Sequence, residues 1–228
     1  MSQNTELSPI VSIQLKDAAY LAIRSAITNL ELEPGLAISE NMLVKHLGVS
    51  KTPIRAALGR LEAEGMVVTI PFKGTFVREA DDRDAQGLFE LRIALESAAV
   101  RAVCIGATDD ELAGLLDVAH QASMEEAVGE HDSALLGIGD FHDRLVALSG
   151  NVWLEAAYVA ISGPLARIRM LSGDQASSIE TSSSEHVHLV EALVARDGEF
   201  AVSIIETHLY RVRDLYQSCC DSIIAIVK

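Results

Sequence analysis

The sequence predicts a mainly α-helical protein, with an N-terminal winged helix-turn-helix followed by an all-α bundle of six helices. Three observations carry this. The 228 residues are enough for two compact domains. Hydrophobic residues make up 49% of the chain but aromatics only 4%, so the cores rest on Leu, Ile, Val and Ala, which suits packed helices. Charge is also unevenly divided. Residues 1–80 hold eight Lys and Arg against eight Asp and Glu, whereas residues 81–228 carry the whole net charge of −15. An acidic surface repels phosphate, so nucleic acid could be met only by the first part. Domains over 1–80 and 81–228 follow.

Other classes are excluded early. Charges interrupt every apolar stretch well short of the roughly 18 to 20 residues of a membrane span. The opening MSQNTELSPI has no basic segment leading into an apolar core, so no signal peptide is expected. Cys104, Cys219 and Cys220 form no CxxC pair. They read as small apolar fillers in a reduced, cytoplasmic setting.

Within the first eighty residues, 14–31 place Leu15, Ala19, Ala22, Ile23, Ala26, Ile27 and Leu30 on one helical face, closed by Glu33-Pro34-Gly35. Ser39 is placed to cap a short second helix through His46, with Met42, Leu43 and Leu47 inward. After the Gly48-Val49 turn, Ser50 is expected to cap a third helix that stops at Gly65. Pro53 is tolerated there because it lies in the first turn. Val67, Val68 and Ile70, then Thr75, Phe76 and Val77, are β-formers on either side of Pro-Phe-Lys-Gly and predict a hairpin. This order is that of a winged helix-turn-helix, whose third helix enters the major groove of DNA. Ser50, Lys51, Thr52 and Arg55 then fall on the end that reaches base edges, and Lys73 and Gly74 on the wing tip. Lys51 and Arg55 can donate to guanine or phosphate; Ser50 and Thr52 suit phosphate oxygens.

The run SENMLVKHLGVSKTPIRAALGRLEAEGMV with the wing KGTFV resembles the DNA-binding domain of the GntR family. Two positions depart from the family wording: Lys51 stands where arginine is commoner, and Ala56 replaces a usual glutamate. Lysine lacks the bidentate fork of arginine, so base preference at that contact loosens.

From Asp81 onward helical periodicity takes over. Helices are expected over 82–104, 109–129, 131–148, 151–171, 176–196 and 199–220, with breaks at Gly106-Ala-Thr108, Gly129, Gly150-Asn151, Gly173 and Asp197-Gly198. Thr108-Asp-Asp-Glu111 is a capping box and Asn151 a natural N-cap. The polar run Ser177–Ser184 reads as a loop or frayed helix start.

This half resembles the FCD ligand-binding domain of FadR-like GntR regulators, through LFELRIALESAAVRAV, FHDRLVALSGN, Glu185-His186 and His208-Leu209. The resemblance implies metal ligands at His142, His186 and His208, on three helices. Neutral imidazoles suit Zn or Ni. The family's fourth ligand, an aspartate one turn before the first histidine, is Ile138 here. Asp140, two residues from His142, points some 200° around the helix and is a weak substitute. Two readings stand: a three-histidine metal site with open positions, or histidines that hold an anionic effector or pack in a polar pocket. Arg92 is placed by the resemblance to clamp a small organic acid, and alternatively pairs with Glu96 at i,i+4. Arg167 and Arg169 are second-tier candidates; His188 and Arg144 read as surface residues.

The resemblance as a whole implies a homodimeric, ligand-responsive repressor of a metabolic operon. It would bind double-stranded DNA at a pseudo-palindromic operator, answer to a small carboxylate effector and involve no membrane. The alternatives are a metal-ion-responsive regulator and, least favoured, a three-histidine metalloenzyme. For an enzyme, the residues placeable beside the metal, Ile138, Phe141 and Leu145, offer no general acid or base.

Overall fold

The computed structural model describes residues 15–79, 82–127, 131–171 and 176–227. The first part contains α1 (Leu15–Thr28), β1 (Ala37–Ile38), α2 (Glu40–Leu47), α3 (Lys51–Ala63), β2 (Val67–Ile70) and β3 (Gly74–Val77). Six helices follow: α4 (Asp82–Gly106), α5 (Asp109–Ala127), α6 (His131–Leu148), α7 (Val152–Leu171), α8 (Ala176–Val194) and α9 (Gly198–Val227). The expected boundary between residues 80 and 81 lies outside the described residues, as do the breaks at Gly129 and Gly173.

Ile23, Ile27, Leu43, Ile54, Leu61 and Met66 pack α1, α2, α3 and the sheet into one cluster. The third helix meets the base of the hairpin there, and Gly65 reverses the chain at φ +70° as its position after the helix demands. Ser39 accepts from the Met42 N–H at 3.0 Å and so caps α2. Ser50 occupies the same position on α3, but its hydroxyl makes no cap bond. It is exposed and left to other partners.

Three details differ from the sequence reading. Helix α1 ends at Thr28, because Leu30 takes a left-handed φ of 61° and turns Leu32 onto the core. Of the expected apolar face, Leu15 and Ala22 are exposed, and Tyr20 is buried in their stead. The wing is not a bare hairpin, since β1 pairs antiparallel with β3 to give the sheet order β1-β3-β2.

The bundle is centred on Val100, Val103, Leu112, Phe141, Leu145, Leu189, Leu193, Ile205 and Leu209, all fully or almost fully buried. Its ends are set locally. Thr108 and Glu111 form the reciprocal capping box at 2.8 and 3.3 Å, and Asn151 Oδ1 accepts from the N–H groups of Trp153 and Leu154. Ser177–Ser184 is helical, so of the two readings of this run the helix start holds and the loop does not. Ser182 accepts from Arg211 Nη2 at 2.9 Å and Ser183 is buried, so packing against α9 overrides weak serine propensity. Cys104 is a buried free thiol in the core; the side chains of Cys219 and Cys220 lie outside the described residues. Among the described residues, no helix is long and apolar enough to cross a membrane.

The two parts touch through α7. Arg24 Nη2 donates to Ser162 Oγ at 2.8 Å, and Arg167 Nη1 donates to the Arg78 carbonyl.

Candidate effector site and nucleic-acid interface

Helix α6 presents Ile138, Phe141, His142 and Leu145 inward, α8 presents His186 and Leu189, and α9 presents Ile205, His208 and Leu209. The three histidines expected from the sequence are buried together, and one ring nitrogen of each lies within 4.8 Å of the others. His142 Nε2 and His186 Nε2 are 3.1 Å apart, and the His186 ring stacks on Phe141 at 4.0 Å.

Two carboxylates orient the cluster. Glu96 on α4 accepts from His142 Nδ1 at 2.7 Å, and Glu185 on α8 accepts from His208 Nδ1 at 2.6 Å. A carboxylate on Nδ1 fixes the tautomer and turns the Nε2 lone pair to the centre, the arrangement that supports imidazole ligands in metal sites. Burial pushes His142 down to about 3, against the upward pull of Glu96, and also lowers His208. Both rings are therefore neutral near pH 7 and able to donate lone pairs. Three buried, converging imidazoles, two of them held neutral, fit a divalent ion such as Zn or Ni.

Each carboxylate is matched by an arginine. Arg92 Nε donates to Glu96 at 2.6 Å with both side chains buried, and Arg211 donates to Glu185 at 2.7 Å. Burial alone would raise both carboxyls, but Arg92 and His142 hold Glu96 far below the usual range, and His208 and Arg211 bring Glu185 to about 2. The Arg92–Glu96 pair weighed from the sequence is thus present. Arg92 also hydrogen-bonds Tyr158 of α7, so it sits in the site while paired.

Ile138 is buried on the His142 face and supplies no donor. Asp140 is exposed in a surface groove with Asp117 and Arg144, so it does not join the histidines. Arg144 and His188 are exposed, as read. Arg167 is buried but reaches back to Arg78, and the Arg169 side chain lies outside the described residues. Sequence reasoning missed Glu96 and Glu185 as carboxylates beside the histidines, and also Tyr158 and Arg211. The i,i+4 pair with Arg92 pointed to Glu96, and Glu185 stood beside His186; nothing local marked Tyr158 or Arg211.

In the N-terminal part, Ser50, Lys51, Thr52 and Arg55 are exposed on the first turns of α3, as are Lys73 on the β2–β3 turn and Gly74 at the start of β3. Arg55 Nε donates to Glu40 Oε1 at 2.8 Å, which leaves its terminal nitrogens facing solvent on a side chain 65% exposed. Glu62 of α3 accepts from the Thr69 N–H of β2 at 2.8 Å, tying the wing to the helix.

Residues 15–77 match the family of bacterial regulatory proteins named gntR, and residues 87–211 match the FCD domain. The chain is 36% identical over 181 residues to the Nta operon transcriptional regulator of Aminobacter aminovorans, covering 78% of this chain and 83% of that one. It is 33% identical to an HTH-type transcriptional regulator in an unstable DNA locus of Streptomyces ambofaciens, over 86% of this chain and 82% of the relative. Among solved structures, E. coli McbR/YncC superposes with a TM-score of 0.77 at 20% identity, covering 91% and 99% of the two chains. A GntR regulator from Rhodococcus sp. RHA1 gives 0.76 at 20% identity, covering 89% and 97%. Those two likenesses concern the fold. With both domain models matched in order along one chain, the protein belongs to the GntR family of bacterial transcriptional regulators, in the FadR-like branch that joins the winged helix-turn-helix to an FCD domain.

Proposed function

We propose that the protein is a cytoplasmic, homodimeric repressor whose affinity for a pseudo-palindromic operator is set by a small carboxylate held at the histidine cluster. Residues 1–80 act as the DNA-binding unit and 81–228 as the sensing and dimerisation unit. The observation that carries the effector class is the charge count of the site. Arg92 balances Glu96 and Arg211 balances Glu185, while His142 and His208 are neutral. A divalent ion on His142, His186 and His208 would add two positive charges and open coordination positions. With Ile138 in place of an acidic ligand, the chain supplies no further anion from that position. A buried uncompensated charge is costly, so an anionic ligand completes the site. Arg92 is paired through Nε with Glu96 and bonded to Tyr158, and the N–H groups that remain of its five can meet that ligand's oxygens.

Untagged protein purified without chelator is expected to hold about one Zn or Ni per chain by elemental mass spectrometry, the stoichiometry of a single three-histidine site. His186→Ala is expected to lose the ion and the effector response while keeping operator affinity. A metal-free wild type whose effector response survives His186→Ala would remove the site. Operator binding that follows the ion alone, with no organic ligand, would make the ion the signal.

On the DNA side, Ser50, Lys51, Thr52 and Arg55 contact the major groove and its phosphates, and Lys73 and Gly74 the backbone beside it. Arg55→Ala is expected to weaken operator binding about tenfold to a hundredfold, the loss of one bidentate base contact. Its melting temperature should not change, because the side chain is exposed. Near-normal operator affinity in that variant would mean α3 is not the reader.

A further inference from the structure

The tip of the wing carries a side chain that the fold does not use. Phe72, one of five phenylalanines in the chain, stands fully exposed in the turn between β2 and β3. It also takes a left-handed φ of 65°, a conformation that glycine adopts freely and a side chain resists. The folded protein thus bears two costs at one residue: an aromatic ring left in water and a strained backbone. Pro71 before it and Lys73 after it leave the ring projecting from a short turn closed by the Lys73 N–H to Ile70 carbonyl bond at 3.0 Å. The wing does not swing freely, because the Glu62–Thr69 bond and the β1–β3 pairing fasten it to α3 and to the chain before α2. When α3 lies on DNA, Phe72 is therefore delivered with it.

We infer that Phe72 is a wedge that enters the minor groove beside the α3 site, packing its ring against a base step and opening that step. This rests on the reading that α3 binds DNA. DNA is the occupant that the surroundings favour. The ring is flanked by Lys73 on the half of the chain free of net negative charge, and the exposed cations of α3 belong to the same rigid unit. Apolar side chains at such positions unstack base steps and bend the duplex toward the major groove. Steps that part easily, pyrimidine followed by purine, would be preferred at that place in the operator, with no hydrogen bond to read them.

The test uses a duplex selected by the wild-type protein from a random-sequence pool, with 2-aminopurine placed at successive steps flanking the α3 contact. Wild type is expected to raise 2-aminopurine fluorescence at one step per half-site and to shorten the end-to-end distance read by energy transfer. Phe72→Gly is expected to abolish both signals and weaken binding about tenfold, the size of one lost aromatic–base contact. Its melting temperature should hold or rise, because glycine relieves the left-handed backbone. A merely structural role would move stability and affinity together. The slope of log affinity against log salt should stay as in wild type, whereas Lys73→Ala should reduce it by about one. Unchanged fluorescence and affinity in Phe72→Gly would overturn the inference, as would a variant that changes only self-association. Arg55→Ala in the same assay separates the two readings. If it keeps operator affinity, α3 is not the reader; if it loses affinity while Phe72→Gly does not, only the wedge fails.

Discussion

Glu96→Ala is expected to lower the melting temperature of the bundle by on the order of 10 °C, the largest single-residue effect on stability that the site allows. Glu96 has no exposed surface, and it accepts from Arg92 at 2.6 Å and from His142 at 2.7 Å. Removing it strands a guanidinium that is itself buried, with Tyr158 as the partner that remains. Breaking a buried pair from one side costs roughly 3–5 kcal/mol, against a total stability of about 5–15 kcal/mol. The paired variant separates charge from shape. Arg92→Met with Glu96→Leu removes both charges and should recover most of the melting temperature, since apolar replacement of a whole buried pair is often neutral. It should not recover the effector response, because the clamp and the support for His142 are gone. Thermal unfolding followed by circular dichroism reads both variants. A Glu96→Ala protein that melts with wild type would mean that Arg92 reaches water and that the pair is not a buried one.

What the sequence made legible divides by distance along the chain. Ser39, Gly65, Asn151 and the Thr108–Glu111 box act within a turn of themselves, so their residue types disclosed their roles. The helix-turn-helix and the six helices of the bundle were readable for the same reason, since periodicity is local. The failures lie where a distant partner decides. Strand β1 is two residues long and has no pattern of its own; it exists because β3 is there to pair with it. Ser182 looked like loop material until Arg211, 29 residues on, supplied its hydrogen bond. The histidines could be named from resemblance, but what makes them a site could not. Glu96 lies 46 residues from His142 and Glu185 lies 23 from His208, and only packing shows that each holds an Nδ1.

Gly163→Leu is expected to uncouple effector from DNA while leaving each binding step in place. Helix α7 touches both ends of the proposed coupling. Tyr158, almost fully buried, receives a hydrogen bond from Arg92 at the effector site. One turn further, Ser162 accepts from Arg24 of α1, and Arg167 donates to the carbonyl of Arg78 just past β3. Between them, a Cβ on Gly163 would lie 2.5 Å from Met66 Sδ and 3.3 Å from Arg24 Nε. A leucine there has to displace both side chains, and its bulk is expected to lift the DNA-binding unit off α7. On the proposed reading, an effector that draws on Arg92 would shift Tyr158, and with it the helix that seats Arg24 and the base of the wing. Such a ligand acts only through its differential affinity for the two arrangements. Coupling of this kind changes operator affinity by roughly 5–150-fold, and in Gly163→Leu the ratio should fall toward one. The measurement is the operator Kd with and without the carboxylate that raises the wild-type melting temperature most in a screen. The affinity of the variant for that carboxylate should stay within about twofold, because its contacts at Arg92 and the histidines are untouched. Gly163→Ala should fall between, since Met66 is flexible enough to yield to one methyl group. An undiminished ratio in Gly163→Leu would mean that the signal reaches the DNA-binding unit without passing through α7.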